Sequence, residues 1–250
     1  MRRVVIPELL DEDAGPPHEI RASLDDLRRV NSWFGGASTT RDMITRVLSR
    51  IGSNKVSLLD VGAGSGDVVL AAQRELARRG VRLELTLLDR RASHLPCTQA
   101  ALLEHHDHTR NDCGNSLRRV AGDAFALPFR TGAFDLVACS LLVHHFEPDE
   151  VVQFVNEALR VASVAVLIND LRRSALSLAL VYCGFPLFRS ALTRHDAPAS
   201  VRRAYTINEM HTLLEKTTAH HVEVTPHYLF RMAAIAWHTP RCAWCKRTGN

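Results

Sequence analysis

The stretch SLLDVGAGSGD, residues 57–67, decides the fold of this chain. An apolar run leads to Asp60, three glycines follow at Gly62, Gly64 and Gly66, and a helix can begin at Asp67. Glycines adopt backbone angles that side chains disfavour, and they let a ligand lie against the main chain at a helix N-terminus. Dinucleotide loops usually read GxGxxG, whereas here the third glycine comes one residue sooner and an acid stands two residues before the first. The acid favours a positively charged ligand group over a pyrophosphate.

Short apolar runs alternate with helical stretches on both sides of this turn. They predict strands at 56–59, 83–88, 117–120, 135–140 and 164–168, and helices at 67–79, 98–104 and 148–161. A capping box at Thr206 predicts a helix to about residue 216, and strands at 221–225 and 228–237 follow around Pro226 and His227. The expected fold class is therefore α/β, with a parallel sheet, crossover helices and a final antiparallel strand pair.

The N-terminal region is predicted to begin as an irregular arm over residues 1 to about 20, because Pro16 and Pro17 cannot continue a helix. Helices are predicted after Ser23 and after Thr39, where capping-box variants occur, and the second should stop near Gly52. The polar residues 105–116 are expected to form a surface insertion before the third strand.

Composition limits the class of protein. With 250 residues, 46% of them hydrophobic, the chain can form one core domain with an added lid, which excludes a disordered protein. A net charge of +4 argues against a surface for nucleic acid, and six cysteines are too few for a disulfide scaffold. The N-terminus lacks the apolar region of a signal peptide, so a cytoplasmic enzyme is expected. The apolar stretch 174–188, broken by Gly184 and Pro186, is too short to span a bilayer and should be a buried or lid helix.

The glycine motif resembles the first motif of class I S-adenosylmethionine-dependent methyltransferases, and the resemblance extends from about residue 56 to 237. It implies a Rossmann-like seven-stranded sheet with helices on both faces and S-adenosyl-L-methionine as the cofactor. Asp60 would face the cofactor's ammonium group, Asp89 the ribose hydroxyls and Asp123 the adenine amino group. The full set of cofactor-binding residues that the resemblance implies is Asp60, Gly62, Ala63, Gly64, Gly66, Asp89, Arg90, Asp123, Ala124, Phe125 and Ser140.

The residues after the fourth strand, SLLVHHF at 140–146, are similar to the loop that lines the methyl-transfer site in ubiquinone-type and other small-molecule methyltransferases. The N/D-P-P-Y sequence of nitrogen-modifying enzymes is absent, which favours an oxygen or carbon acceptor. Histidine can take a proton near neutral pH, so the candidate bases are His144, His145 and His195. Each has the alternative of being an ordinary hydrogen-bonded histidine, and neighbours such as His195 and Asp196 need not face each other.

A long insertion, residues 170–205, separates the fifth strand from the next helix. Together with residues 27–36 it resembles the lids of bacterial methyltransferases encoded near polyketide and quinone-like pathways. Five aromatic residues could form an apolar substrate pocket or, alternatively, plain core: Trp33, Phe34, Tyr182, Phe185 and Phe188. The doublets Arg172-Arg173 and Arg202-Arg203 could pair with an acidic substrate or lie on a solvated face.

The expected organisation has five parts. These are a helical arm with part of the lid (1–52), the cofactor-binding core (53–171), the substrate cap (172–205), the completion of the core (206–240) and a tail (241–250). No metal site is expected. The ligand types His105, His106, Asp107, His108 and Cys113 fall in a polar loop, and Cys242 and Cys245 have no second CxxC to complete a zinc site.

The favoured hypothesis is methyl transfer to the hydroxyl, or as second choice a carbon, of a small and largely apolar metabolite such as a phenolic, polyketide or quinone-type compound. The expected partner is a small-molecule acceptor, with no nucleic acid and no membrane span, and the sequence leaves the oligomeric state open. The alternatives are an NAD-dependent oxidoreductase and a non-catalytic partner protein with the methyltransferase fold. An RNA or protein methyltransferase is disfavoured by the modest charge and the apolar cap.

Overall fold

The computed structural model describes residues 1–10, 15–91, 95, 117–228 and 230–238. The predicted helix at 98–104, the polar insertion at 105–116 and the tail at 241–250 lie outside these residues, as do Cys242 and Cys245. In chain order the elements are α1 (Pro17–Trp33), α2 (Gly36–Ile51), β1 (Lys55–Val61), α3 (Asp67–Ala77), β2 (Arg82–Asp89), β3 (Arg118–Ala121), β4 (Phe134–Ser140), a 3₁₀ helix (Val143–His145), α4 (Pro148–Val161), β5 (Ala162–Leu171), α5 (Ala175–Cys183), a second 3₁₀ helix (Phe185–Leu187), α6 (Ala191–Arg203), α7 (Ile207–Glu215), β6 (His221–His227) and β7 (Arg231–Trp237).

One seven-stranded sheet organises the fold, with the strand order β3-β2-β1-β4-β5-β7-β6. The first five strands pair in parallel, and β7 runs antiparallel to both β5 and β6. The predicted Rossmann-like sheet with a closing antiparallel pair is confirmed. Because the strand order reverses beside β1, the carboxyl ends of β1 and β4 flank the crevice where an open α/β sheet binds ligands.

Helices cover both faces of the sheet. Alternate residues of β1 face opposite sides, so that Leu59 packs in a core with α4 and α7, whereas Leu58 packs in a second core with α2 and α3. Both leucines are fully buried. Burying a leucine side chain stabilises the fold by about 1.5–3 kcal/mol, and the two cores fix β1 from both sides.

The two N-terminal helices begin earlier than the sequence predicts. Helix α1 starts at Pro17, because proline is well accommodated in the first turn, where its missing N–H has no partner to lose. Ser23 lies inside that helix, buried, and its hydroxyl oxygen accepts a hydrogen bond from the Thr193 hydroxyl at 3.0 Å. Helix α2 starts at Gly36 rather than after Thr39, and ends before a left-handed Gly52 as predicted.

The apolar stretch 174–188 does not form one buried helix. Helix α5 ends before Gly184, and a 3₁₀ turn that contains Pro186 follows. Leu176 and Tyr182 are 51% and 45% exposed, so of the two alternatives a buried helix is wrong for these residues, and a lid helix stays a prediction. Among the described helices, none is long and apolar enough to cross a membrane.

The C-terminal elements follow the prediction closely. Helix α7 begins with the expected capping box, in which Thr206 and Glu209 exchange side-chain and backbone hydrogen bonds. The hairpin turn lies later than predicted, because Pro226 and His227 remain in β6 and Tyr228 takes a positive φ of 52° in the turn.

Candidate active site

The glycine turn joins β1 to α3 with left-handed backbone angles, φ 67° at Gly62, 52° at Gly64 and 72° at Gly66. A Cβ atom added at Gly66 would lie 2.9 Å from a methyl group of Leu87, so this glycine lets α3 pack closely on the sheet. At Gly64 an added Cβ would meet nothing within 4 Å. The turn therefore presents its backbone to open space, where a ligand can lie against it.

Asp89, at the end of β2, braces this turn. Its Oδ2 accepts a hydrogen bond from the Gly64 N–H at 2.9 Å, and its Oδ1 accepts one from the Arg91 N–H at 3.0 Å. The Ala63 N–H donates to the Leu88 carbonyl at 3.0 Å, which ties the turn to the same strand. The sequence did not reveal this bracing role, because it depends on the register between β1 and β2.

Asp60, near the end of β1, is only 3% exposed, and its Oδ1 has no hydrogen-bond partner among the described residues. Burial, together with the charge of Asp89, raises the pKa of this carboxyl from 3.8 to about 8. A buried carboxylate oxygen without a donor costs free energy until a ligand supplies one. The ammonium group of S-adenosylmethionine has the donors and the charge that Asp60 lacks, so the residues fit this cofactor.

Asp123 follows β3 and shapes the third part of the site. Its Oδ1 accepts a hydrogen bond from the Phe125 N–H at 2.8 Å, so it is a turn-forming residue as well as a cavity-lining one. The ring of Phe125 packs against Phe146 at a centroid distance of 4.8 Å. Together with Ala124, these side chains form an edge of the cavity at the carboxyl end of the sheet.

One cavity of about 740 Å³ connects the glycine turn with the helices above the sheet, a volume typical of small-molecule sites. Of the sequence-predicted cofactor residues, the structure places these at its wall: Gly62, Gly64, Asp89, Arg90, Asp123, Ala124 and Phe125. The described wall does not include Asp60, Ala63, Gly66 or Ser140. Gly66 and Ala63 act within the turn, where the Gly66 N–H donates to the Ala63 carbonyl at 2.8 Å. Ser140 is the last residue of β4.

Three of the five aromatic residues predicted for the substrate pocket line the cavity. Trp33, Phe34 and Phe188 line the cavity, and Trp33 is nonetheless 58% exposed. Tyr182 and Phe185 lie outside the described wall. Their rings pack at a tilt with a centroid distance of 5.1 Å, and the Tyr182 hydroxyl accepts a hydrogen bond from Arg202. The other face of α5 contributes smaller aliphatic side chains, Leu180 and Val181.

His144 lies in the 3₁₀ helix after β4 and is almost completely buried. Its Nδ1 lies 2.7 Å from Asp170 Oδ1, and its backbone N–H donates to Asp170 Oδ2 at 3.0 Å. Its Nε2 lies 3.6 Å from Glu8 Oε1. Burial by itself would lower the pKa of His144, but the charges of Asp170 and Glu8 and the hydrogen bond to Asp170 outweigh it and raise the pKa to about 10.

His145 lines the cavity, and its ring packs on that of His144 at a centroid distance of 4.1 Å. His195 is on α6 with a 45% exposed side chain, and it does not belong to the described cavity wall. Its Nδ1 nevertheless lies 2.8 Å from Asp196 Oδ1, so the His-Asp pair forms away from the cavity. Asp196 also accepts hydrogen bonds from the backbone N–H groups of Leu9 and Leu10, and so anchors the N-terminal arm.

Glu8 and Arg231 are two buried, charged residues of the cavity wall that the sequence did not identify. Glu8 is carried by the N-terminal arm and is 8% exposed, with its Oε1 unpartnered among the described residues. Arg231 opens β7 and is fully buried, and it donates to the Phe34 carbonyl and to Asn169 Oδ1, each at 3.0 Å. Burial lowers the pKa of Arg231 to about 10, so the guanidinium remains charged at neutral pH. The sequence did contain a sign of this role, because Arg231 is the one charged residue in the otherwise apolar strand β7.

The arginine doublets serve the fold rather than the cavity. Arg173 is buried and donates to the Met1 and Ala204 carbonyls and to Glu209. Arg203 donates to the carbonyl of His145 at 2.5 Å. None of the four arginines at 172, 173, 202 and 203 lines the cavity that the structure describes.

Residues 59–165 match the family model described as a methyltransferase domain. The match begins in β1 and ends in β5, and so includes the glycine turn and both histidines. The match and the Rossmann-like sheet together support a class I S-adenosylmethionine-dependent methyltransferase. Its cofactor is S-adenosyl-L-methionine, and the alternatives of an NAD-dependent oxidoreductase and a non-catalytic partner protein are set aside.

Several solved structures share the fold of this methyltransferase. The plantazolicin methyltransferase BpumL, in complex with a pentazolic desmethylPZN analog and SAH, aligns with a TM-score of 0.64 at 13% identity, over 92% of this chain and 94% of that chain. A SAM-dependent methyltransferase from Aquifex aeolicus aligns with a TM-score of 0.56 at 16% identity, over 90% and 100%. Magnesium protoporphyrin IX methyltransferase (ChlM) from Synechocystis PCC 6803, with bound SAH, aligns with a TM-score of 0.53 at 16% identity, over 82% and 84%. No curated protein sequence matches the chain.

Proposed function

We propose that this methyltransferase transfers a methyl group to the hydroxyl of a small, largely apolar metabolite of the phenolic, polyketide or quinone type. The observation that carries the proposal is the single cavity in which the glycine turn shares a wall with aromatic and aliphatic side chains from α1, α5 and α6. A nucleic-acid substrate finds no support in the net charge of +4. One neighbour with the same fold is in complex with a pentazolic desmethylPZN analog, and another is a magnesium protoporphyrin IX methyltransferase, which is compatible with a small-molecule acceptor.

The residues of the glycine turn and the strand ends would hold the cofactor. Asp60 would pair with the ammonium group, which gives its unpartnered Oδ1 a donor. Asp89 would accept from the ribose hydroxyls while it holds Gly64, and Asp123 would accept from the adenine amino group beside Ala124 and Phe125. The bound cofactor supplies a methyl group on a positively charged sulfur.

The remaining cavity residues would align the acceptor and exclude water, which is the main requirement of a single in-line displacement. Residues 172–205 and α1 would act as the cap, because Phe188, Leu180 and Trp33 lie on the wall opposite the sheet. The hydroxyl proton must leave, and the proposal that a histidine accepts it is supported by the position of His144 and His145 on the cavity wall. His195 is left out of the proposed chemistry. We also propose that the reaction takes place in the cytoplasm.

The test is acceptor screening with a labelled methyl donor, together with two matched variants. Ala197 lines the cavity, so Ala197→Phe should fill acceptor space and abolish turnover while affinity for S-adenosylhomocysteine stays within about twofold. Ala179→Phe places the same ring on the exposed face of α5 and should leave both unchanged. The proposal fails if no hydroxylated acceptor in a phenolic and polyketide panel gains a methyl group, or if the product carries the methyl group on nitrogen.

A further inference from the structure

The side chains of Glu8, His144 and His145 form a compact cluster on the cavity wall. Their nearest ligand-type atoms, one carboxylate oxygen and two imidazole nitrogens, all lie within 4.8 Å of one another. Glu8 and His144 are buried and His145 is half-buried. The two histidines come from the 3₁₀ helix after β4, whereas Glu8 comes from the N-terminal arm.

The spacing between Glu8 and His144 does not suit a direct hydrogen bond. Glu8 Oε1 lies 3.6 Å from His144 Nε2, and this buried oxygen has no hydrogen-bond partner among the residues that the structure describes. Zinc binds imidazole nitrogen and carboxylate oxygen at about 2.0–2.2 Å, which puts tetrahedral ligand atoms roughly 3.3–3.5 Å apart. The observed separation is close to that edge length, and a nitrogen of His145 lies within 4.8 Å of both atoms.

Asp170 orients His144 in the way that metal-binding histidines are usually oriented. It holds both the backbone N–H and the ring Nδ1 of His144, so that Nε2 is left facing Glu8. A carboxylate behind the second ring nitrogen fixes the tautomer and the direction of a ligating imidazole. Asp170 is itself 1% exposed, so this arrangement lies in a dry part of the molecule.

We propose that Glu8, His144 and His145 bind one divalent transition-metal ion, with Zn²⁺ as the reference ion. Two imidazoles and one carboxylate are the ligand set of catalytic zinc sites, which keep a position open for water or substrate. That open position would face the cavity, because all three residues line it. The sequence predicted no metal here, because Glu8 is distant in the chain and its approach to the histidines depends on the arm.

If the acceptor is a hydroxyl, as proposed above, the ion would also explain how that hydroxyl loses its proton. A hydroxyl oxygen bound to the ion releases its proton to water more readily. The oxygen lone pair then forms the new O–CH₃ bond as the S–CH₃ bond breaks, and S-adenosylhomocysteine leaves with the electron pair of that bond. The ion is neither oxidised nor reduced.

The experiment uses the full chain, stripped with a chelator and dialysed, and titrated calorimetrically with Zn²⁺ in the absence of cofactor and acceptor. We expect one ion per chain, also visible as tetrahedral Co²⁺ absorption when Co²⁺ replaces Zn²⁺. Glu8→Gln keeps the side-chain size and should weaken binding at least tenfold, as should His145→Ala. His211→Gln removes an exposed histidine on α7 and should bind as the wild type does. Thermal melting and S-adenosylhomocysteine affinity check that each variant is folded.

Zinc bound elsewhere is distinguished by a further variant, in which Cys242 and Cys245 are replaced together by serine. Loss of the ion in that variant, with retention in Glu8→Gln, would overturn the proposal. So would a stripped wild-type chain that binds no Zn²⁺ or retains full methyl transfer in excess chelator. The latter result would leave the proposed function intact, whereas a chain that binds Zn²⁺ and methylates no hydroxyl would count against the function alone.

Discussion

Replacing Asp60 with asparagine should stabilise the cofactor-free protein and weaken its cofactor binding at the same time. The change keeps the size of the side chain and removes its charge. In the folded state burial and Asp89 raise the pKa of Asp60 from 3.8 to about 8, so at neutral pH the folded chain holds a proton that the unfolded chain releases. Each pH unit between 3.8 and 7 then lowers the free energy of unfolding by about 1.4 kcal/mol, which gives an upper bound of about 4 kcal/mol at pH 7.

The sign follows from the direction of the shift. Because the pKa of Asp60 is higher in the folded chain than in the unfolded chain, this carboxyl does not lower the stability of the fold below pH 3.8. Its cost to stability grows as the pH rises from 3.8 to about 8 and stays constant above that. The free energy of unfolding of the asparagine variant does not fall with pH in this way. Its buried amide lowers that free energy at every pH by about 1–3 kcal/mol, because its hydrogen bonds are not made. We therefore expect a net gain of about 1–3 kcal/mol in the free energy of unfolding at pH 7 and a net loss of about 1–3 kcal/mol at pH 4, where only the cost of the amide remains.

Urea unfolding at several pH values measures the change in stability, and calorimetric titration with S-adenosylhomocysteine measures the change in cofactor affinity. The variant should bind at least tenfold more weakly, because an ammonium group loses a charged partner worth roughly 1.5–3 kcal/mol. Asp149→Asn, at an exposed position in the first turn of α4, is the matched control: it should leave cofactor affinity unchanged and lower the free energy of unfolding by at most about 1 kcal/mol. Parallel pH profiles for wild type and Asp60→Asn, or equal cofactor affinity, would refute the reasoning.

Three further variants test the geometry of the site. Asp89→Asn should weaken cofactor binding at least tenfold and lower the unfolding free energy by about 1–2 kcal/mol, since Asp89 holds the Gly64 and Arg91 amides; unchanged calorimetric titration would remove it from the site. Gly64→Ala should cost about 1–2 kcal/mol in urea unfolding because φ is 52°, and its methyl group should reduce cofactor affinity, whereas a chain with wild-type affinity would show that the ligand does not approach this backbone. Arg231→Met should destabilise the chain by about 3–5 kcal/mol, since Asn169 and the Phe34 carbonyl lose a buried charged donor; a melting temperature equal to the wild type would contradict this assignment.

Local patterns sufficed to predict most of the sheet. Strand β1 and the glycine turn follow from an apolar run that ends in three closely spaced glycines, and α4 was predicted with its exact bounds, 148–161. The start of α1 was missed because Pro17 was interpreted as a helix breaker, although it occupies the one part of a helix that tolerates proline.

The site was less predictable where it depends on long-range contacts. The role of Glu8 depends on an arm that Asp196 anchors from α6, and no local pattern near Glu8 indicates that contact. The position of Tyr182 outside the described cavity wall depends on how α5 is rotated about its axis. Helix α5 is apolar all round, so its periodicity gave no information on that rotation.

We assign the binding of S-adenosylmethionine to the turn from Gly62 to Gly66, together with Asp60 and Asp89. Isothermal titration of the purified chain with S-adenosylmethionine and S-adenosylhomocysteine, and with NAD as the control ligand, tests it most directly. We expect micromolar binding of both adenosyl ligands and no heat with NAD. Binding of NAD alone, or of none of the three ligands, would contradict it.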